Sequence, residues 1–328
     1  MSLRQLLDHS ARYDAEYSGN LSSHLPMALV ALARLGADAA TLAAFAERYA
    51  RRLRPAPAAE PWPAGDAWKG RLGDPRAWPA YRSLFNDWID DEGVPSVLPQ
   101  VLPALFQGVG AAAFHGLIRS AYAAAAGHSH ELADALAYWA CRWFSLGMAP
   151  GLETAGREPD PVAVLARLAI HKPKRPLIAE RMALVVEHSG FARVAADLRI
   201  EPETTLEALA ALAARLYATS DNFTVLHLVT SAHAVRVLLP WLESEDVAAA
   251  LGHYWLAYAA GYASSGLNDG DRSNLPRAAI KPWPTLVARA LTSDDDHLIK
   301  LVDSCREQER VYGGAVWREA ASRAVAGA

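Results

Sequence analysis

The chain has 328 residues, with 32 Lys and Arg against 36 Asp and Glu, a formal net charge of -4 and a pI near 6.3. Without a basic surplus it lacks the means to displace counterions from phosphate backbones, which argues against general nucleic-acid binding. Alanine alone supplies 67 residues and hydrophobic types 52%, against 41 Gly and Pro, a composition that leaves little room for disorder or a β-sandwich.

Only Cys141 and Cys305 are present, so neither a disulfide framework nor a four-cysteine zinc site is available. The first ten residues are polar and amphipathic, unlike a secretory signal. No uninterrupted apolar run approaches the roughly 18 residues needed to span a bilayer. A cytoplasmic protein that does not engage a membrane is expected, with residues 1–328 forming a single domain.

Pro26 in a first turn and Gly36 at the C′ position predict a helix over Met27 to Leu35, followed by one over Thr41 to Leu53. Residues 55–103 carry scattered Pro and four tryptophans (Trp62, Trp68, Trp78, Trp88), with one short helix at Ala80 to Asp90. So many tryptophans predict an ordered lid or wrapping segment rather than a free linker. Helical signals resume at Val101 to Ala126 and His130 to Leu146, then at Pro161 to Ile170, Leu177 to His188 and Thr204 to Thr219. Asn222 to Leu239, Glu245 to Ser264, Trp283 to Leu291 and Asp294 to Gln308 complete the series. No stretch combines β-branched enrichment with strict alternation, and no repeat recurs at about 30 to 45 residues. The expected fold class is all-α, a multi-helix bundle of roughly ten helices with an irregular Pro/Trp-rich segment.

Several of the eleven histidines interrupt apolar helices. His115 shares a face with Arg119 and Tyr122, and His227 with Phe223, Thr230, Ser231 and Ala234. His233 is six residues beyond His227, about 120° away in rotation, so one helix cannot easily aim both at a single point. His253 follows in the aromatic run Gly252-His-Tyr-Trp-Leu-Ala-Tyr. Taken singly, each reads as a core histidine bonded to a carbonyl. Drawn together from different helices of a bundle, they would suit iron, zinc or copper.

Other patterns are weaker. Gly108-Val-Gly-Ala-Ala-Ala113 fits a dinucleotide fingerprint formally, but no strand precedes it, and tight helix packing is the better account. His128-Ser-His130 reads as a solvated interhelix turn. Neither cysteine sits in a nucleophile signature. Ser293 with Asp296 three residues later forms a capping-box pattern. Leu298, Leu301, Val302 and Cys305 then make the buried stripe, which turns His297 and Lys300 towards the polar side.

Four stretches in order resemble the questin oxidase-like family: residues 13–36, from Tyr13-Asp-Ala-Glu-Tyr through His24 to Gly36; Phe114-His-Gly-Leu-Ile-Arg-Ser-Ala-Tyr122; Phe223-Thr-Val-Leu-His-Leu-Val-Thr230; and Asp296-His-Leu-Ile-Lys-Leu-Val302. The resemblance implies oxidative ring opening of polycyclic aromatic compounds such as anthraquinones by a non-haem iron oxygenase, with NADPH used by fungal members. Carried over by motif, it implies His24, His115, His227 and His297 as iron ligands, with His233 and His253 as alternatives for the fourth place, and Lys300 as a carboxylated lysine. Such a lysine must be neutral to take up CO₂, which needs its pKa lowered from about 10.4. The two readings of Lys300, exposed by periodicity and buried by resemblance, conflict. The expected partners are a small aromatic substrate and dioxygen. Tyr254, Trp255 and Tyr258, with the Trp-rich segment, are expected to stack on the substrate, and Thr230, one turn from His227, to hydrogen-bond the activated oxygen. Two other readings stand beside this one: an NADPH-dependent Baeyer-Villiger-type monooxygenase without metal, and a non-catalytic helical binding protein for apolar ligands.

Overall fold

Capping residues set the helix starts. Ser2 and Gln5 form a capping box that begins α1 (Leu3–Ser10), and the next segment folds into a hairpin of β1 (Glu16–Tyr17) and β2 (Leu21–Ser22), neither of which the sequence pattern predicts. α2 (Leu25–Leu35) carries Pro26 in its first turn and stops at Gly36, whose φ of 100° lies in the left-handed region. α3 (Ala39–Ala50), α4 (Trp78–Glu92), α5 (Val94–Phe106), α6 (His115–Ala125) and α7 (Ser129–Arg142) follow. Then come α8 (Pro161–Leu165), α9 (Ile178–Val186), α10 (Phe191–Ala195), α11 (Thr205–Ser220), α12 (Phe223–Leu238) and α13 (Val247–Ala263). The chain closes with α14 (Trp283–Leu291), α15 (Asp296–Tyr312) and α16 (Val316–Gly327).

This computed structural model describes residues 1–65, 67–147, 156–267, 275–276 and 278–327. The fold is all-α, 66% helical, and among the described residues it has sixteen α-helices rather than roughly ten. The excess comes from α1, α10 and α16, which the pattern missed, and from the predicted Val101 to Ala126 helix, which is two helices. α5 ends at Phe106, and a tight turn through Ala111–Phe114 separates it from α6.

Four helices form the centre. α2 packs on α6 and α15, and α12 packs on the same two, closing a ring. α1, α3 and α14 cover α2, α7 covers α6 with α4 packed behind α7, α11 covers α12, and α16 covers α15. α12 runs into a short 3-10 turn, and Phe223–Trp241 is long and apolar enough to cross a membrane, the one such helix among the described residues, yet 72% of that window is buried in this core. Within the Pro/Trp-rich stretch, Tyr81 donates to the Trp68 carbonyl at 2.7 Å, Trp62 rests on Tyr81, and α4 packs along α7.

Three local expectations change. α15 starts one residue after Asp295, not at Ser293, because the Asp295 carboxylate accepts from the His297 and Leu298 amides. Lys300 is 2% exposed, since α15 is enclosed by α2, α12, α14 and α16 and has no true polar side there. His128 is buried rather than solvated: it caps α7 by accepting from the Glu131 amide and lies 3.1 Å from Asp8. The glycine pattern at 108–113 does serve close packing, for a Cβ on Gly108 would fall 2.4 Å from the Trp143 indole.

Candidate functional site

The central ring of helices brings its N-terminal ends together, and each end carries one histidine. His24 is the N-cap of α2, His115 the first residue of α6, His297 the second residue of α15, and His227 the fifth residue of α12. Ring centroids lie 4.6 Å apart for His24 and His115, 4.6 Å for His24 and His297, 5.1 Å for His115 and His227, and 5.5 Å for His227 and His297. Lys300, one turn along α15, puts its Nζ 2.9 Å from His24 Nδ1.

Each ring is held through the same nitrogen. His24 Nδ1 lies 2.5 Å from Asp296 Oδ1, His297 Nδ1 3.0 Å from that same oxygen, His227 Nδ1 2.8 Å from the Phe223 carbonyl, and His115 Nδ1 contacts the Ala112 carbonyl. At His115, His227 and His297 an oxygen acceptor favours the proton on Nδ1 and leaves the Nε2 lone pair to face elsewhere, while His24 Nδ1 meets both Asp296 Oδ1 and Lys300 Nζ. Among the described residues, His115 Nε2 is buried without a hydrogen-bond partner. The backbone is bent to make this contact: Ala112, Ala113 and Phe114 all have positive φ, at 46°, 56° and 69°. Non-glycine residues in that region cost roughly 1–2 kcal/mol each, and such strain concentrates at functional sites.

Electrostatics favours neutral imidazoles here. Burial, and then the Lys300 charge, pulls His24 down to about 3, and burial also drives His115 and His227 well below the usual range. Burial pushes the Asp296 carboxyl up, but His24, His297 and Lys300 outweigh it and hold it well below the usual range. Burial lowers Lys300 to about 8, with Asp296 and Asp295 pulling the other way. Four helix N-termini add partial positive charge at one place. Ligand atoms of His24, His115 and His297 all lie within 4.8 Å of one another, with His227 against two of those rings. Neutral nitrogen donors, a nearby carboxylate and an unpartnered Nε2 fit a divalent transition-metal ion, and suit iron, zinc or copper more than magnesium or calcium.

The cluster opens into a cavity of about 490 Å³. Its walls are Tyr17, Asn20, Leu21 and Ser22 from the hairpin, Ala112 and Ala113 from the strained turn, Leu177, Ile178 and Ala179 at the start of α9, and Phe223 and Thr224 at the start of α12. Such a volume and lining suit a small, mostly apolar ligand. A family model described as Questin oxidase-like matches residues 21–305, which spans all four histidines and Lys300. The chain belongs to the Questin oxidase-like family. That membership makes it an oxidoreductase of the oxygenase kind. No curated protein matches the sequence.

Within this family member the remaining predicted residues lie elsewhere. His233 is buried against Arg236 at 3.1 Å, on another side of α12 from His227, as the rotation argument requires. His253 is half-buried on α13 and does not line the cavity. The three aromatic residues expected at the substrate are core residues of α13: Tyr254 bonds Ser231 at 3.1 Å, Trp255 donates to the Ala195 carbonyl at 2.7 Å, and Tyr258 to the Leu209 carbonyl at 3.1 Å. Thr230 turns its hydroxyl back to the Leu226 and His227 carbonyls. None of Trp62, Trp68, Trp78 or Trp88 lines the cavity. The aromatic surfaces that do are Tyr17 and Phe223, the latter 55% exposed and 4.8 Å from the His297 ring. Sequence reasoning gave Phe223 only as a helix-face neighbour and Asp296 only as a cap. The signal for Asp296 was its place beside His297, an acidic residue ready to orient a ligand.

Proposed function

We propose that this family member is a non-haem iron oxygenase that opens a ring of a flat polycyclic aromatic substrate of the anthraquinone kind. In this reading His24, His115, His227 and His297 bind the metal through Nε2, and Lys300, carboxylated, provides an oxygen ligand. The observation that carries it is the common anchoring of all four rings through Nδ1 by oxygen acceptors, two of them on Asp296 Oδ1, beside a buried lysine. Ferrous iron held there would supply dioxygen activation, and NADPH is the proposed electron source.

The protein's own residues do the rest. Phe223 and Tyr17 present faces against which a planar ring system stacks, and Leu21 covers its edge. The apolar lining of the cavity keeps water from the reacting carbon. Lys300, neutral above about 8, attacks CO₂ through its lone pair, forming an N–C bond and releasing one proton to solvent. The carbamate replaces a cation with an anion and offsets the positive charge of the metal and the four helix ends.

The test is metal content in protein purified without oxygen. Close to one iron per chain is expected, lost in His115→Ala and His227→Ala, together with substrate-dependent oxygen consumption. Iron-free protein whose histidine variants keep fold and activity would refute the proposal.

A further inference from the structure

One wall of the cavity carries a buried cation that the metal chemistry does not use. Arg181, on the first turns of α9, is 7% exposed and lines the cavity. Its guanidinium donates to four neutral oxygens: the carbonyls of Ser264 at 3.3 Å, Arg175 at 3.0 Å and Pro176 at 3.0 Å, and the Thr224 hydroxyl at 3.2 Å. Among the described residues no carboxylate pairs with it, whereas the other buried arginine, Arg119, has Glu131 at 2.6 Å. A buried charge is costly unless an opposite charge meets it, and neutral dipoles only partly compensate. Five N–H groups radiate from a guanidinium, so one remains after these four bonds, on Nη2, the nitrogen that also holds Thr224.

The surroundings repeat the same sign. Among the described residues lining the cavity there is no Asp or Glu to oppose Arg181. Leu177, the N-cap of α9, offers no side-chain cap, so the amides at that helix start, beside the lining residues Ile178 and Ala179, have no side-chain acceptor there. Position along α12 sets the distance scale: Thr224 precedes His227 by three residues, about 4.5 Å of axial rise.

We infer that Arg181 anchors an anionic oxygen, a carboxylate or phenolate, on the aromatic substrate, in the same cavity as the histidine cluster. The inference rests on the cavity being the substrate site. A single remaining guanidinium N–H in an apolar cavity suits one anionic oxygen on a flat body, and not the several phosphates of a dinucleotide. Charge-assisted bonds of this kind orient as well as attract, so Arg181 selects which ring edge faces the histidines.

The test is binding, measured by calorimetry on the full chain stripped of metal, with anthraquinone-2-carboxylate and the uncharged anthraquinone-2-carboxamide as probes. The carboxylate is expected to bind about tenfold or more tightly than the amide. Arg181→Gln is expected to remove that preference with the amide affinity unchanged, and Arg181→Lys to keep part of it. Equal wild-type affinity for the two probes overturns the inference, as does a carboxylate preference that survives in Arg181→Gln, or failure of both probes to bind. The wild-type comparison stands even if Arg181→Gln does not fold. NADPH is a third probe: displacement of the carboxylate by NADPH, but not by the amide, would assign Arg181 to the nucleotide and overturn it too. Because no metal or turnover enters these measurements, an iron-free protein that still prefers the carboxylate separates failure of the metal proposal from failure of this one.

Discussion

His24 Nδ1 lies 2.5 Å from Asp296 Oδ1, which joins the starts of α2 and α15 across 272 positions of sequence. The same oxygen reaches His297 at 3.0 Å, so one carboxylate aims two rings. Loss of an outer partner of this type costs about 10–100-fold in metal affinity. Asp296→Asn is expected to weaken iron binding in that range with the fold intact, read by competition with a chelating dye. Asp295→Ala removes the cap of α15 and a carboxylate 3.7 Å from His297 Nδ1, and is expected to cost about 1 kcal/mol of stability with a smaller loss of metal affinity than Asp296→Asn.

Lys300 gives a prediction with a pH sign. Its folded pKa is about 8 against 10.5 for the free side chain. Between those values the unfolded chain binds more protons than the folded one, so stability attributable to this group rises with pH across 8 to 10.5 and is lowest below 8. In metal-free, CO₂-free protein, Lys300→Met is therefore expected to be the more stable form at pH 7, with the gap closing above pH 8, in urea titrations. With ¹³C-bicarbonate, wild type is expected to show a carbamate resonance that grows as pH rises through 8 and is absent in Lys300→Met. A short carboxylic acid is expected to restore part of the activity to Lys300→Ala.

The helices were legible because their signals are local, and His115 and His227 stood out as polar residues in apolar helices, whereas His24 and His297 entered only through the family resemblance. Pro26 and Gly36 bound α2 as predicted, and the Trp283 to Leu291 helix recurs with both ends unchanged. The strained turn was not legible, since Gly108 to Phe114 reads as continuous helical alanine, and only tertiary packing drives Ala112 and Ala113 into left-handed conformations. Periodicity alone places Lys300 on the polar side, against the resemblance, for a related reason. A 3.6-residue stripe reports one buried face, and α15 is enclosed on several sides. Tyr254, Trp255 and Tyr258 were assigned to the substrate because aromatic runs resemble stacking surfaces, yet each has a polar partner within the core.

Asp303, one turn along α15 from Lys300, carries a second pH effect. It is 1% exposed, and its Oδ1 accepts from Arg34 Nε at 3.1 Å. Burial pushes its pKa up to about 6 from 3.8, against the pull of Arg34. The folded state thus holds a proton that the unfolded state has lost between those values. The stability from this group is full below pH 3.8 and gone above about 6. Asp303→Asn keeps the shape without the ionisation, and Arg34 retains Glu307 at 3.1 Å. The variant is expected to gain on wild type by on the order of 2 kcal/mol between pH 4 and 7, measured as urea midpoints at each pH.

Gly116 tests whether the crossing of α6 on α7 positions His115. A Cβ there would lie 2.6 Å from Trp139 Cβ and 2.7 Å from Trp139 Cα, atoms that cannot swing aside as a flexible side-chain end would. Gly116→Ala must push the helices apart, and overpacking of this kind costs about 1–3 kcal/mol. Because His115 is the adjacent residue, the displacement also moves its ring relative to His24 and His227. Lower melting temperature and lower iron content are expected together in Gly116→Ala. Gly70→Ala, where an added Cβ meets nothing within 4 Å, is expected to match wild type in both. An overpacked Gly116→Ala that melts earlier yet holds its full iron would show that the cluster is positioned by the strained 112–114 turn rather than by the helix crossing.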